Sequence, residues 1–166
     1  MILMFVRVKK IQNKQYAYLV ANEWTTAGSR QKVKAYLGKV HKPERKTERN
    51  IALDSMKEFS HLVLDAIKLE LENHGFKHNH NNVLTREGLI VDLHDNKISY
   101  KNRKSVIAIN EGHLCDHTLS ELLHFRAGEK PEETSTRLAT KIIEVGLKLQ
   151  PEAFVQLFEK ASRTTN

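Results

Sequence analysis

Three sets of side chains in this 166-residue chain have types and spacings suited to chemistry. His113-Leu114-Cys115-Asp116-His117 brings a thiol between imidazoles, which can take its proton and stabilise a thiolate for attack. No oxyanion or substrate motif accompanies it, so the reading taken is a packed cysteine, with Asp116 or His117 helping to begin a helix. His74, His78 and His80 could share a metal, because neutral imidazole is the commonest ligand for zinc and its neighbours. No Cys, Asp or Glu lies among them to complete a closed four-ligand set. Asp92 and Glu121 are the carboxylates for divalent-ion cleavage of nucleic acid, in which metal ions stabilise the attacking and leaving oxygens. Residues 126–166 supply no later strand with a further ligand, and no glycine loop suited to phosphate is present. No catalytic residue, metal site or cofactor is therefore assigned.

Capture of an anion is better supported. From Phe5 to Val40 the sequence alternates as strands do, in three runs, Phe5–Ile11, Tyr16–Trp24 and Arg30–Leu37. Asn13-Lys14 and Ala27-Gly28-Ser29 are the expected hairpin connections. Because side chains alternate across a strand, one parity collects Arg7, Lys9, Tyr16, Tyr18, Trp24, Arg30, Lys32, Lys34 and Tyr36. The other collects Val6, Val8, Ala17, Leu19, Ala21, Val33, Ala35 and Leu37. If the second set faces inward, the first is one basic face studded with rings, suited to phosphates and to bases that stack. Aromatic residues also fill half-buried sheets, so Tyr16, Tyr18 and Trp24 have a core alternative. Lys and Arg are seldom fully buried, and a solvated edge guarded by lysines has the same appearance.

Two hairpin strands followed by R-Q-K-V-K-x-Y-L-G-K-V, at Arg30–Val40, resemble the N-terminal segment of certain insertion-sequence transposases and of small, mostly archaeal proteins that start the same way. The resemblance covers roughly a quarter of the chain, and what it implies is the handling of nucleic acid. In the transposases a long catalytic domain with acidic metal ligands follows; residues up to Asn166 depart from that pattern. Three strands and then a helix, with Asp92 on the first strand and Glu121 on the helix, superficially resemble the opening of the ribonuclease-H-like fold.

The charge distribution points the same way as the basic strands. Net charge is +7, yet residues 1–49 hold 12 Lys/Arg against 3 Asp/Glu while residues 50–166 hold 15 against 17. The basic excess is confined to the opening segment, as a localised anion-binding surface requires. Cys115 is the one cysteine, which excludes an internal disulfide and favours a reducing, cytoplasmic setting. Arg7 interrupts the apolar opening Met1–Val6 before it reaches the length of a signal or a membrane span, so it is read as strand, with no membrane partner.

The elements that would position these groups follow from periodicity. His41–Asn50 is charged, contains Pro43 and reads as a linker, in which Arg45, Lys46 and Arg49 either extend the basic surface as an arm or simply face water. Ile51 to about Asn73, with Ala52, Met56, Phe59, Val63, Ala66 and Ile67 at helical spacing, predicts the strongest helix, capped at Gly75. His74–Asn82 reads as a loop. Leu89–Leu93, Lys97–Tyr100 and Ser105–Ile109 predict a second small meander. Thr118-Leu119-Ser120-Glu121 has capping-box spacing for a helix ending at Gly128, and Pro131 and Pro151 each open a further helix.

The fold expected is α+β: an antiparallel three-stranded module (1–42), a linker (43–50), and an α+β domain (51–166) with a long central helix, a small β-meander and C-terminal helices. The function expected is non-catalytic binding of DNA or RNA by Arg7, Lys9, Tyr18, Trp24, Arg30, Lys32, Lys34, Tyr36, Arg45 and Lys46. The alternatives are a protein-interaction or ribosome-associated module, with a protein partner or self-association through the C-terminal helices, and a divalent-metal nuclease or transposase-derived protein.

Overall fold

The computed structural model describes residues 3–163; Met1 and Ile2, which open the apolar start, lie outside them. Three long strands begin the chain: β1 (Met4–Ile11), β2 (Lys14–Thr25) and β3 (Gly28–His41). The β1–β2 turn is Gln12-Asn13, one residue earlier than the expected Asn13-Lys14. Both residues have positive φ, 48° and 65°, the geometry whose twist matches a two-residue hairpin. After a connector come α1 (Phe59–Asn73), β4 (Lys77–His80), β5 (Val83–Arg86), β6 (Leu89–Asp92), β7 (Lys97–Tyr100), β8 (Arg103–Ile109) and β9 (Gly112–Leu114). The chain then closes with α2 (Asp116–Leu123), α3 (Pro131–Val145) and α4 (Pro151–Arg163).

The architecture is α+β, but the strands form one nine-stranded sheet in the order β1-β2-β3-β8-β7-β6-β5-β4, with β9 on β8. All neighbours are antiparallel except β3 and β8, which run parallel over Lys39–Ser105, Val40–Val106 and His41–Ile107. The N-terminal strands and the second meander are therefore joined edge to edge through three residue pairs. Gly38 makes this junction feasible. Its φ of 131° suits glycine, and a Cβ there would overlap the Lys104 carbonyl oxygen.

Two apolar clusters hold the molecule together. The larger lies between α1 (Leu62, Val63, Ile67, Leu71), the meander (Leu84, Val91, Ile107) and the later helices (Leu119, Leu122, Leu138, Leu157), all of them buried. The smaller sits under the hairpin, with Ala17, Leu19, Leu37, Val40, Val106 and Cys115 buried and Val6, Val8 and Ala35 against them. Leu37 and Val40 thus bring one face of β3 down onto β8, which leaves the opposite face free to line a surface.

Several local expectations are corrected. The central helix starts at Phe59, not at Ile51. Ile51 and Leu53 pack against the core from an extended segment, and Asp54 makes a turn by accepting from the Met56 amide at 2.9 Å, leaving Met56 88% exposed. His74–Asn82 is no loop: Lys77–His80 pairs with Val83–Arg86 across Asn81-Asn82, both at positive φ. The second capping position is Cys115. Thr118 is the third helical residue, and its Oγ1 accepts from the Cys115 amide at 3.2 Å, so α2 begins two residues before the expected cap. That helix ends at Leu123, short of Gly128. The Gly75 cap, α3 and α4 lie where the periodicity places them, and Phe76 N donates to Leu71 O at 3.0 Å beyond the cap.

Candidate nucleic-acid interface

The register decides which cations share a side. Residues directly opposite one another in an antiparallel pair point to the same face. Arg7 lies opposite Tyr18, Lys9 opposite Tyr16, Tyr18 opposite Tyr36, and Tyr16 opposite Lys39, so these six positions share one face of the hairpin. The same parity of β2 carries Trp24 at its far end. The Tyr18 and Tyr36 rings meet at 5.4 Å, Lys9 Nζ sits 5.2 Å from the Tyr18 ring centre, and Arg7 donates to Gln31.

Arg30, Lys32 and Lys34 do not join that face, which corrects the single array expected from strict alternation. β3 carries two extra residues relative to β2: Ala17 and Tyr18 pair with Gly38 and Tyr36, while Leu19 and Val20 pair with Ala35 and Val33. Each skipped residue, Leu37 and Lys34, reverses the alternation beyond it. Val33 and Gln31 consequently lie with Tyr18, whereas Lys32 and Arg30 lie with Ala21 and Glu23 on the other side. There Glu23 accepts from Lys34 Nζ at 2.7 Å and approaches Lys32 Nζ at 3.9 Å. The hydrogen bond from Lys34 holds the Glu23 carboxyl below its ordinary range. Glu23 is the sole acidic residue of residues 1–41, so the tyrosine face of the hairpin is free of carboxylates.

Arg45 and Lys46 sit elsewhere again. Residues 42–58 have no helix or strand, yet they are pinned as a strap to the end of α1. The Lys46 and Thr47 amides donate to the Asn73 carbonyl, Thr47 Oγ1 lies 2.6 Å from Asn73 Oδ1, and Asn73 Nδ2 donates to Arg49 O. Arg45 turns inward, donating to the buried Glu70 at 2.6 Å and to Asn110 Oδ1 at 3.1 Å. Lys46 pairs with Glu44 at 3.3 Å. Arg45 is thus a structural cation.

Where β3 meets β8, the tyrosine face continues into a cleft of about 690 Å³. One wall is Lys14, Tyr16, Tyr36, Lys39 and His41; the other is Tyr100, Lys101, Arg103, Lys104 and Ser105. The second wall comes from the β7–β8 turn, where Lys101 and Asn102 both take positive φ and swing three cations around a two-residue connection. No lining residue is acidic. Lys104 reaches out to Asp116 at 3.0 Å, while Lys14, Lys39, Lys101 and Arg103 make no ion pair among the described residues. Lys101 Nζ lies 5.3 Å from the Tyr100 ring centre.

The His41 ring packs against Tyr100 at 4.6 Å, tilted by 40°, and its Nε2 is buried without a hydrogen-bond partner among the described residues. Burial first, and then the Lys39 charge, hold its imidazole below the ordinary value. Burial also pushes the Tyr36 phenol up, against the pull of Arg103. Both rings therefore remain uncharged near neutrality, next to four unspent cations. The sequence reading missed Lys14, Lys39, Tyr100, Lys101, Arg103 and Lys104. The cluster Lys101-Asn102-Arg103-Lys104 was legible as a basic turn, but nothing local ties it to Lys39.

The other candidate groups are placed apart. Cys115 is buried, burial raises its thiol, and its Sγ lies 3.6 Å from Thr118 Oγ1, so it packs and caps. His74 bonds the Glu70 carbonyl, His78 meets Glu72, and His80 is exposed; no group of three or more His, Cys, Asp or Glu among the described residues could hold a metal. Asp92 accepts from the His94 and Asp95 amides as a turn former, and Glu121 pairs with Lys141. No helix among the described residues is long and apolar enough to cross a membrane. Compared with family models, with curated proteins and with solved structures, the chain shows no match to any of them.

Proposed function

We propose that this protein binds nucleic acid, DNA or RNA, without catalysis, and that its binding surface is the β3–β8 cleft together with the tyrosine face of the hairpin. The observation that carries this reading is the composition of the cleft: five Lys/Arg, three tyrosines and a histidine, with no carboxylate on either wall. Fixed cations neutralise phosphates and release their counterions, while ring faces accept bases in any sequence. The proposed contacts are Arg7, Lys9, Lys14, Lys39, Lys101 and Arg103 for phosphate, with Tyr16, Tyr18, Tyr36 and Trp24 for bases. Arg30, Lys32 and Lys34 form a second basic side, partly neutralised by Glu23, and play a lesser part. The likeness of Arg30–Val40 to the start of insertion-sequence transposases accords with the same partner class.

The test is a gel-shift or anisotropy series across salt with labelled DNA and RNA. With about six phosphate contacts, affinity should fall of order 10³ between roughly 50 and 200 mM salt. An absence of binding to both polymers at low salt would end the proposal. A protein-contact role is the second reading. It rests on a groove of about 480 Å³ lined by Ile142, Ile143, Leu147, Leu149 and Phe154 between α3 and α4, beside the half-exposed Ile143.

A further inference from the structure

The tip of the hairpin needs its own explanation. Among the described residues, pairing between β1 and β2 ends at Met4 and Ala21, and residues 22–31 continue as a two-stranded ribbon joined by Asn22–Gln31, Glu23–Arg30, Trp24–Ser29 and Thr25–Gly28. Trp24 stands on that ribbon with 86% of its surface exposed. An indole is among the largest apolar groups a protein can bury, and a ribbon tip offers no core for it. It shares a face with Tyr18 and Tyr16, the residues that lead down β2 into the cleft. Along that face Lys9 lies level with Tyr16 and Arg7 and Tyr36 level with Tyr18, and Phe5, Val20 and Val33 and then Asn22 and Gln31 lead on to Trp24.

We infer that the ligand is a single strand of nucleic acid that runs from the β3–β8 cleft along the tyrosine face and ends with a base stacked on Trp24. This rests on the nucleic-acid reading and adds to it a strandedness, a path and a length. Unpaired bases are required because a ring face can stack only on a base whose own face is free. Eight residues separate Tyr16 from Trp24, about 26 Å at ~3.3 Å per residue. At the ~3.4 Å spacing of stacked nucleotides the path takes about eight of them. A tetranucleotide seated in the cleft therefore stops short of the tip, and a dodecanucleotide covers it.

Trp24 is the only tryptophan, so its emission reports the tip alone. The experiment uses the full chain with thymidine strands of 4 and 12 nucleotides, their uridine counterparts, and a 12-base-pair duplex, following anisotropy for binding and Trp24 emission for contact. The 12-mer should quench Trp24 and the 4-mer should bind without quenching. Trp24→Ala should weaken the 12-mer about tenfold and leave the 4-mer unchanged, since one stacked base is at stake. If the 12-mer binds, and is weakened by changing Lys39 and Arg103 to glutamine, while Trp24 emission stays constant, the path is wrong and the cleft reading stands. Equal quenching by the duplex overturns the single-strand assignment. If none of the polymers binds at low salt, both readings fall together.

Discussion

Lys34 Nζ lies 2.7 Å from Glu23 Oε1, on the side of the hairpin opposite the Tyr18–Tyr36 ring pair. This contact separates a cation committed within the protein from Lys14, Lys39, Lys101 and Arg103, which make no ion pair among the described residues. Lys34 is also one of the two residues skipped by the β2–β3 pairing, so the irregularity that moves it off the tyrosine face brings it to a carboxylate. An exposed pair of this kind adds little to stability, but it removes one of the three positive charges on this side.

The first prediction compares the two sides. Changing Lys39 and Arg103 to glutamine should reduce the salt dependence of single-strand binding by about 1.4 in log–log slope, two contacts at ~0.7 each. Changing Arg30, Lys32 and Lys34 together should reduce it by less than that, despite removing three charges. Parallel salt titrations of the two variants give the answer, and a larger loss from the triple variant would relocate the interface to the other side.

Arg45 supplies the second prediction. Its guanidinium meets Glu70, whose side chain is only 5% exposed, and Asn110 joins them by donating to Glu70 Oε1 at 2.9 Å and to Gly146 O at 2.7 Å. Removing one partner of a buried pair strands the other charge, which costs about 3–5 kcal/mol. Arg45→Met should therefore lower stability by about 3 kcal/mol in urea titration, toward the small end because Asn110 remains. The folded fraction should bind nucleic acid with unchanged salt slope. A variant of normal stability and weakened binding would return Arg45 to the interface.

How far the sequence discloses this molecule can be argued from the same residues. Strands β1–β3, the body of α1, and helices α3 and α4 are legible because alternation and helical spacing are local properties, and Pro131, Pro151 and Gly75 punctuate them. The tyrosine face is half legible: Arg7, Lys9, Tyr18, Trp24 and Tyr36 share a side as alternation requires. Arg30, Lys32 and Lys34 do not, because an extra residue in a strand leaves no mark in composition. The cleft is illegible for a different reason. Lys39 meets Ser105 across 66 positions of sequence, and a parallel pair joined through a whole meander has no local signature. Arg45 misleads because a charged, Pro-containing stretch has the same composition whether it is free in water or pinned by Asn73.

Gly38 carries the third prediction. Its φ of 131° and the overlap that a Cβ would make with Lys104 O and Ser105 Cα mean that any side chain must push β3 away from β8. Gly38→Ala should cost about 2 kcal/mol or more, a fall in midpoint of roughly 4–8 °C for a chain of this size. Because the junction also forms the floor of the cleft, single-strand affinity should fall with it even at temperatures where the variant is fully folded. Thermal melts paired with binding at low temperature separate the two effects: an unchanged midpoint would deny the overlap at the junction, and a lowered midpoint with normal low-temperature binding would deny that the junction floors the cleft.

His41 yields the last prediction, in which stability and binding respond to acid with opposite signs. In the folded protein, burial and then Lys39 hold its imidazole below the ordinary 6.5, and burial does the same to His113. The unfolded chain therefore takes up protons first as the pH drops through 6.5, and folded stability declines from there down through the lowered values. A phosphate in the cleft reverses the balance for His41 alone, because an anion beside the ring favours its charged form and offsets Lys39. The complex then binds a proton that the free protein lacks, and affinity rises as the pH drops below 6.5 while stability falls. His41→Phe keeps a ring against Tyr100 and removes the titrating group. It should flatten the pH dependence of affinity between about pH 5 and 7 and leave the His113 part of the stability loss in place. If affinity is as acid-dependent in the variant as in the parent, no phosphate lies beside His41, and the ligand must enter the cleft from the Lys101–Arg103 side.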